Sequence, residues 1–384
     1  MTDRDKQIRV LAIAPYRFLP AVNGGQKNIA LFYKYFSALI PLTCVTVKGT
    51  TKSQADGNYN LLTIFSNNPL RYINPFYFFS LKKIIRERSI THVLLEHAYY
   101  GWLGWLLKKF TGIKLVIHSH NIEGLRFKSI GKWWWRILWY YEKMMHRAAD
   151  MSFFITPEDE SYAIAHFGLQ KEKCAVITYG TERDAAPSKE AKYAAKKVIS
   201  ERHQLDAGKP LLLYSAALKY PPNQKGLDFI LTALNPLLMK SGQLYNILIC
   251  GSGLPDHYND LKAYSGMNIT YAGFVDDIDE YFTAADIFLN PVSEGGGIKT
   301  KVVEAMAANC TVISFEQGAW GIPEDITGKN LRIIKRDNAS FFANETLNYF
   351  KMSYNNISTI FFDHFSWKFI AKKAKDKISF ISPD

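Results

Sequence analysis

Ile287-Phe-Leu-Asn-Pro-Val-Ser-Glu-Gly-Gly-Gly-Ile-Lys-Thr-Lys-Val-Val-Glu-Ala-Met-Ala-Ala-Asn-Cys-Thr-Val-Ile-Ser314 reads as a strand, a glycine turn, a helix and a second strand. Ile287–Asn290 and Thr311–Ser314 are short apolar runs, and Val302-Val-Glu-Ala-Met-Ala between them has helical character. Three consecutive glycines, 295–297, are costly in backbone entropy unless something must come close to the main chain. Lys299 and Lys301 flank the turn, and the start of a helix offers free N–H groups and a partial positive charge. The block therefore points to a bound anion. Glu304 falls in the first two turns of the helix, where a carboxylate could accept a pair of ribose hydroxyls. Its plainer role there is to complement the helix dipole.

The same alternation runs outward in both directions. Upstream in the second half lie Pro210-Leu-Leu-Leu-Tyr-Ser, Tyr245-Asn-Ile-Leu-Ile-Cys and Ile269-Thr-Tyr-Ala. The first half offers Ile8–Ala14, Leu42–Val47, Thr91–Glu96, Lys114–His118, Met151–Thr156 and Ala175–Thr178 as strands, with helices such as Leu81–Arg88 and Trp134–Ala149 between them. Apolar strands separated by helices imply parallel sheets covered on both faces. Around residues 184–209 the pattern gives way to a linker and an Ala/Lys-rich lead-in helix. The expected fold is α/β, with two Rossmann-like doubly wound domains facing across a cleft: residues 1–185, residues 186–360, and a terminal helix, 361–384, crossing back to the first domain. Ligands of such sheets bind beyond the carboxyl ends of the strands. Gly24-Gly25 and Gly251-Ser-Gly253 are further turns at such ends.

A chain of 384 residues suits two domains of roughly 150 residues or more, and its composition excludes disordered, collagen-like and disulfide-scaffold classes. The four cysteines are scattered, so a zinc or redox site is not expected and a reducing cytoplasm is the natural setting. The start is too polar for a signal peptide, and no apolar run approaches the ~18–20 residues that span a bilayer. His118-Ser-His120 is a conceivable metal pair with no third ligand identifiable in the sequence, and the expectation is no metal. Neither G-x-G-x-x-G after a first strand nor a P-loop occurs, which disfavours nicotinamide dinucleotides and P-loop nucleotide hydrolysis. Of the net charge of +12, all but one unit lies in residues 1–185, with 25 Lys and Arg against 14 Asp and Glu. That half is expected to meet something anionic, a membrane surface or a phosphorylated substrate rather than nucleic acid. Lys132-Trp-Trp-Trp-Arg-Ile-Leu-Trp-Tyr-Tyr-Glu-Lys-Met-Met-His-Arg147 has the composition of an interfacial helix. Equally it is a core helix, with Ile137 and Met144 or their neighbours expected to pack against the sheet.

Taken together, these residues resemble the retaining, GT-B-fold glycosyltransferases of group 1, family four. Four pieces carry the resemblance: Gly295–Ala307; Leu213-Tyr-Ser-Ala-Ala-Leu-Lys-Tyr-Pro-Pro-Asn-Gln-Lys-Gly226; Tyr271-Ala-Gly-Phe-Val-Asp-Asp-Ile278 with Tyr281–Asp286; and Val116-Ile-His-Ser-His-Asn-Ile-Glu123. Phe365-Ser-Trp367 fits the family's returning helix. The resemblance implies metal-independent transfer of a sugar from a nucleoside diphosphate, UDP or GDP, to a hydroxyl, with the anomeric configuration kept. The nucleotide sugar is then a co-substrate and no cofactor is required. Glu304 would hold the ribose, and Lys225 would neutralise the diphosphate beside the turn at Gly296, Gly297, Ile298, Lys299, Thr300 and Lys301. Gly273, Phe274 and Val275 would hold the base and His120 would lie beside the donor sugar; Gly24 and Gly25, read from the residues alone, are a further candidate phosphate-binding turn. The acceptor would be a glycan or lipid-linked hydroxyl in cell-surface polysaccharide or lipopolysaccharide synthesis, at the inner face of a cytoplasmic membrane.

The chain departs from the family pattern twice. Gly296 stands where the first glutamate of the motif belongs, with Glu294 two residues early, and Ala217 replaces an arginine whose contact falls to Lys301 or Asn223. Two alternatives stay open at this stage: a degenerate sugar-nucleotide-binding scaffold and a GT-B-like epimerase.

Overall fold

The computed structural model describes residues 7–294, 296–335, 338–350 and 356–381. They form two compact units, Met1–Gly180 with Phe365–Asp384, and Thr181–His364. In the first, β1 (Val10–Ile13), β2 (Leu42–Val47), β3 (Asn60–Phe65), β4 (His92–Glu96), β5 (Lys114–Ser119), β6 (Met151–Phe154) and β7 (Cys174–Val176) pair in the order β3-β2-β1-β4-β5-β6-β7. In the second, β8 (Leu211–Ser215), β9 (Asn246–Cys250), β10 (Ile269–Gly273), β11 (Ile287–Asn290), β12 (Thr311–Phe315) and β13 (Leu331–Ile334) pair as β10-β9-β8-β11-β12-β13. Each described pairing is parallel. Chain order reverses beside β1 in one sheet and beside β8 in the other, and a reversal of this kind opens a crevice at the carboxyl end of a doubly wound sheet. These are the two Rossmann-like α/β units expected from the sequence.

Central strands are buried on both faces, which is why they read as unbroken apolar runs. Two strands escaped the sequence reading, β3 and β13. Both are edge strands with solvent on part of their surface, so neither shows a continuous apolar run.

Gly24 and Gly25 form the first turn of a helix, Gly24–Phe36, rather than a loop. The Asn23 side chain accepts the Gln26 N–H at 3.0 Å and caps it. The C-terminal helix Trp367–Ser379 packs against this helix. Trp367 is buried edge-on to Tyr179, 5.4 Å between ring centres. Gly180 admits that contact, because a Cβ there would lie 2.7 Å from the Phe365 carbonyl oxygen and the Ile370 side chain.

Helices Tyr77–Glu87, Gly101–Thr111 and Trp135–Ala148 contact one another in that order. The third differs from expectation. Ile137 and Met144 point outward, 66% and 58% exposed, in a stripe with Trp133 and Tyr140, while Glu142 and His146 face inward. The inward positions are polar because that side must supply hydrogen bonds to a loop and a neighbouring strand, which leaves the apolar residues to solvent.

Candidate functional site

Each unit carries polar side chains at the carboxyl end of its sheet. In the second, Ser215 ends β8, and its Oγ accepts a hydrogen bond from Lys301 Nζ at 2.6 Å. Lys225 lies within the helix Pro221–Phe229, and its Nζ reaches Glu294 Oε1 at 2.6 Å. Glu294, the early carboxylate of the sequence, is thus brought to Lys225. Asn223 is engaged locally, its Nδ2 donating to the Ala217 carbonyl at 2.9 Å, while Tyr214 O–H donates to the Asn223 carbonyl at 2.7 Å. Gly226 follows, and a Cβ on it would sit 2.9 Å from that tyrosine oxygen.

The turn ahead of the helix Thr300–Ala307 needs its glycine at 297, where φ is 67°. Gly295 lies outside the described residues. Lys299 Nζ folds back onto the carbonyls of Gly296 and Gly297, at 3.1 and 3.3 Å, and desolvation pulls its ammonium down to about 8. Lys299 therefore fastens the turn, while Lys301 on the next turn reaches the end of β8. Ile298 and Thr300 are half-buried, the Lys299 side chain at the N-cap makes no capping bond, and Glu304 sits half-buried on the second turn of the helix. Behind them, Gly251 lies so close to the Ala216 carbonyl that a Cβ would fall 1.9 Å from its oxygen, and Gly251 N–H donates to the Gly273 carbonyl at 2.7 Å. Gly273 ends β10, and Phe274 and Val275 follow it, with Phe274 exposed. The structure thus pairs Lys225 with Glu294 and Lys301 with Ser215, and places Glu304 on the same short helix as Lys301.

In the first unit the sheet end is more densely polar and almost dry. His120, just after β5, directs Nε2 to Glu96 Oε2 at 2.7 Å and lies 3.2 Å from Asn28 Nδ2 on the first helix. Glu96 ends β4 and is 1% exposed. Its Oε2 also faces His118 Nδ1 at 3.1 Å, while His118 Nε2 donates to the Ile177 carbonyl at 3.2 Å. Burial would raise the Glu96 pKa, but His118 and His120 together hold it well below the usual carboxylate range. His97 adopts φ 63°, rare for a side chain of this kind, and stacks on Tyr99 with its ring 4.4 Å from that of His120. Burial and the neighbouring His120 push His97 down to about 3. Glu123 accepts from Arg126 and Tyr99 at 2.5 Å each. Behind it, both Glu142 oxygens accept the N–H groups of Glu123 and Gly124 at 3.1 Å and so fix the loop after β5. Glu96, His118 and His120 include the residue types of a metal site, with ligand atoms within 4.8 Å. Those atoms are already directed at one another.

The sequence reading singled out His120 and missed Glu96, His97, Asn28 and Ser215. A signal was present at Glu96-His97, an acid and a histidine closing the otherwise apolar run Val93-Leu-Leu.

Two units of this kind, with cations at one sheet end and a histidine–carboxylate group at the other, define a GT-B type of glycosyltransferase architecture. The chain belongs to the group 1, family 4 glycosyltransferases. Residues 22–184 match the family described as Glycosyltransferase Family 4, and residues 209–351 match Glycosyl transferases group 1. A Klebsiella pneumoniae protein described as an uncharacterized 44.6 kDa protein in the cps region is 26% identical over 164 residues, a stretch spanning 41% of each chain. Among solved structures, a glycosyltransferase from Rickettsia africae ESF-5 superposes with a TM-score of 0.71 at 16% identity, over 96% of this chain and 97% of the other. Anabaena HepE in complex with UDP gives 0.71 at 14% identity over 97% and 100%, and its UDP-glucose complex gives 0.65 at 14% over 98% and 100%. The lipopolysaccharide outer core galactosyltransferase WaaB, in its apo form, gives 0.66 at 14% over 96% and 99%.

Proposed function

We propose that the protein transfers a hexose from a nucleoside diphosphate, UDP before GDP, to a hydroxyl of a lipid-borne glycan, with retention and without a metal. The observation that carries this reading is that Lys225, paired with Glu294, and Lys301, paired with Ser215 at the end of β8, flank the Gly297 turn from which the helix Thr300–Ala307 starts. As the bond from the anomeric carbon to phosphate breaks, the diphosphate leaves with the electron pair and the sugar moves toward an oxocarbenium ion. Fixed ammonium groups and main-chain N–H groups stabilise the leaving charge, with Lys225 exchanging Glu294 for phosphate. The acceptor oxygen bonds to the same face of the sugar, and its proton passes to the departing phosphate oxygen. Glu304 holds the ribose, Gly273 to Val275 flank the base, and His120 orients the sugar.

A UDP donor is favoured because the similar HepE was solved with UDP and UDP-glucose. A cell-surface glycan acceptor is favoured by the likeness to WaaB and to a protein of a cps region. The basic first half and the outward apolar stripe support work at the inner face of a cytoplasmic membrane, where the acceptor lipid would be held.

The test is release of labelled hexose from UDP-glucose, UDP-galactose and GDP-mannose by the purified chain, with and without a lipid-extract acceptor. Turnover with a UDP-hexose is expected. Glu304→Ala and Lys225→Ala should each lower it at least ~100-fold while folding is retained. Unchanged turnover in both variants refutes the donor site, and donor binding with no turnover under any condition indicates a scaffold.

A further inference from the structure

We propose that Glu96 is a positioning residue that locks His120 in the tautomer carrying its proton on Nε2. The inference rests on the transferase reading above only for its activity arm. It starts from hydrogen-bond valence. A carboxylate only accepts, so the contact of 2.7 Å between His120 Nε2 and Glu96 Oε2 requires a proton between them, and that proton belongs to the imidazole. Nδ1 is then the lone-pair nitrogen of His120, the one able to accept from a sugar hydroxyl. Asn28 Nδ2 lies 3.2 Å from the same nitrogen, a longer contact than the 2.7 Å one to Glu96, and a carboxylate cannot supply the proton that the shorter contact needs.

Glu96 is itself held in place. It closes β4, its Oε2 lies 3.1 Å from His118 Nδ1, and His118 Nε2 donates to the Ile177 carbonyl at 3.2 Å. Glu123, the neighbouring acid, is paired with Arg126 and Tyr99, which leaves Glu96 as the carboxylate that faces His120.

The consequence is that the carboxylate closing β4 aims the histidine that follows β5. A mobile or mixed-tautomer His120 would present the wrong nitrogen for part of the time.

The test begins with the full-length, unliganded protein labelled with ¹⁵N-histidine, read by long-range ¹H–¹⁵N correlation at neutral and mildly alkaline pH. One imidazole with a single proton on Nε2 is expected, and it is lost in His120→Asn. A His120 protonated on Nδ1, or stoichiometric metal in the purified protein, overturns the proposal whatever the activity. In Glu96→Gln, which keeps the shape, His120 should become a tautomer mixture, and kcat for UDP-hexose turnover should fall at least ~10-fold with KM nearly unchanged. The Glu96→Gln/His120→Asn double variant should be no slower than His120→Asn alone. A multiplicative loss in the double variant means that Glu96 acts independently of His120 and overturns the positioning role. Loss of the transferase reading itself would instead appear as no turnover by the parent chain, with the ¹⁵N pattern intact.

Discussion

His146 illustrates how a single buried side chain sets the response of this fold to acid. Its ring lies between Ser119 Oγ at 2.9 Å and Ser152 Oγ at 2.8 Å, and burial depresses its pKa from 6.5 to about 3. The native state therefore keeps it neutral over a range in which the unfolded chain binds a proton, so stability is lost as pH falls from about 6.5 toward 3. His97, also pushed down to about 3, acts in the same direction. Urea-unfolding midpoints should fall steadily between about pH 7 and about pH 5, and His146→Gln should flatten part of that slope. An unchanged slope in the variant would remove His146 from the account. The residues legible in the sequence were those announced by glycine. Lys301 and Glu304 stand beside a turn whose composition makes no sense without close approach. Glu96 showed in the sequence only as an acid closing an apolar strand, and its partner is set by the sheet, which brings β4 beside β5 and so Glu96 beside His120.

At the level of elements, runs such as Leu42–Val47 and Ile287–Asn290 were readable to the residue because both faces of a central strand demand apolar side chains. β3 and β13 were not, since an edge strand owes only part of its surface to the core. The helix Trp135–Ala148 was readable as a helix but not in its rotation. Its outward stripe of Trp133, Ile137, Tyr140 and Met144, flanked by Arg136 and Lys143, has the geometry of a surface that dips into a lipid headgroup layer. Ile137→Asp/Met144→Asp should reduce co-sedimentation with phosphatidylglycerol-containing vesicles at least ~10-fold at low salt. Because both side chains are solvent-exposed, the unfolding midpoint should stay where it was. Equal vesicle binding by parent and variant would leave the stripe without a membrane role.

Across the whole molecule, the path of the chain matters as much as either sheet. The backbone leaves the first unit after Gly180 and returns to it at Phe365, so the final helix lies against the helix Gly24–Phe36 while the second unit occupies the interval. Asp184-Ala185 is exposed in the connecting segment. Limited proteolysis there should yield two fragments that co-elute in native buffer and part only in denaturant, since the later fragment carries the buried Trp367. Separate elution under native conditions would show that the terminal helix docks too weakly to hold them.

The same path governs how relatives could be recombined. A donor half taken from another transferase cannot be grafted by a single crossover near residue 181, because the graft would bring a foreign tail to a groove shaped for this one. A working hybrid needs two seams, one after Gly180 and one before Phe365, so that the last helix is inherited with the half it covers.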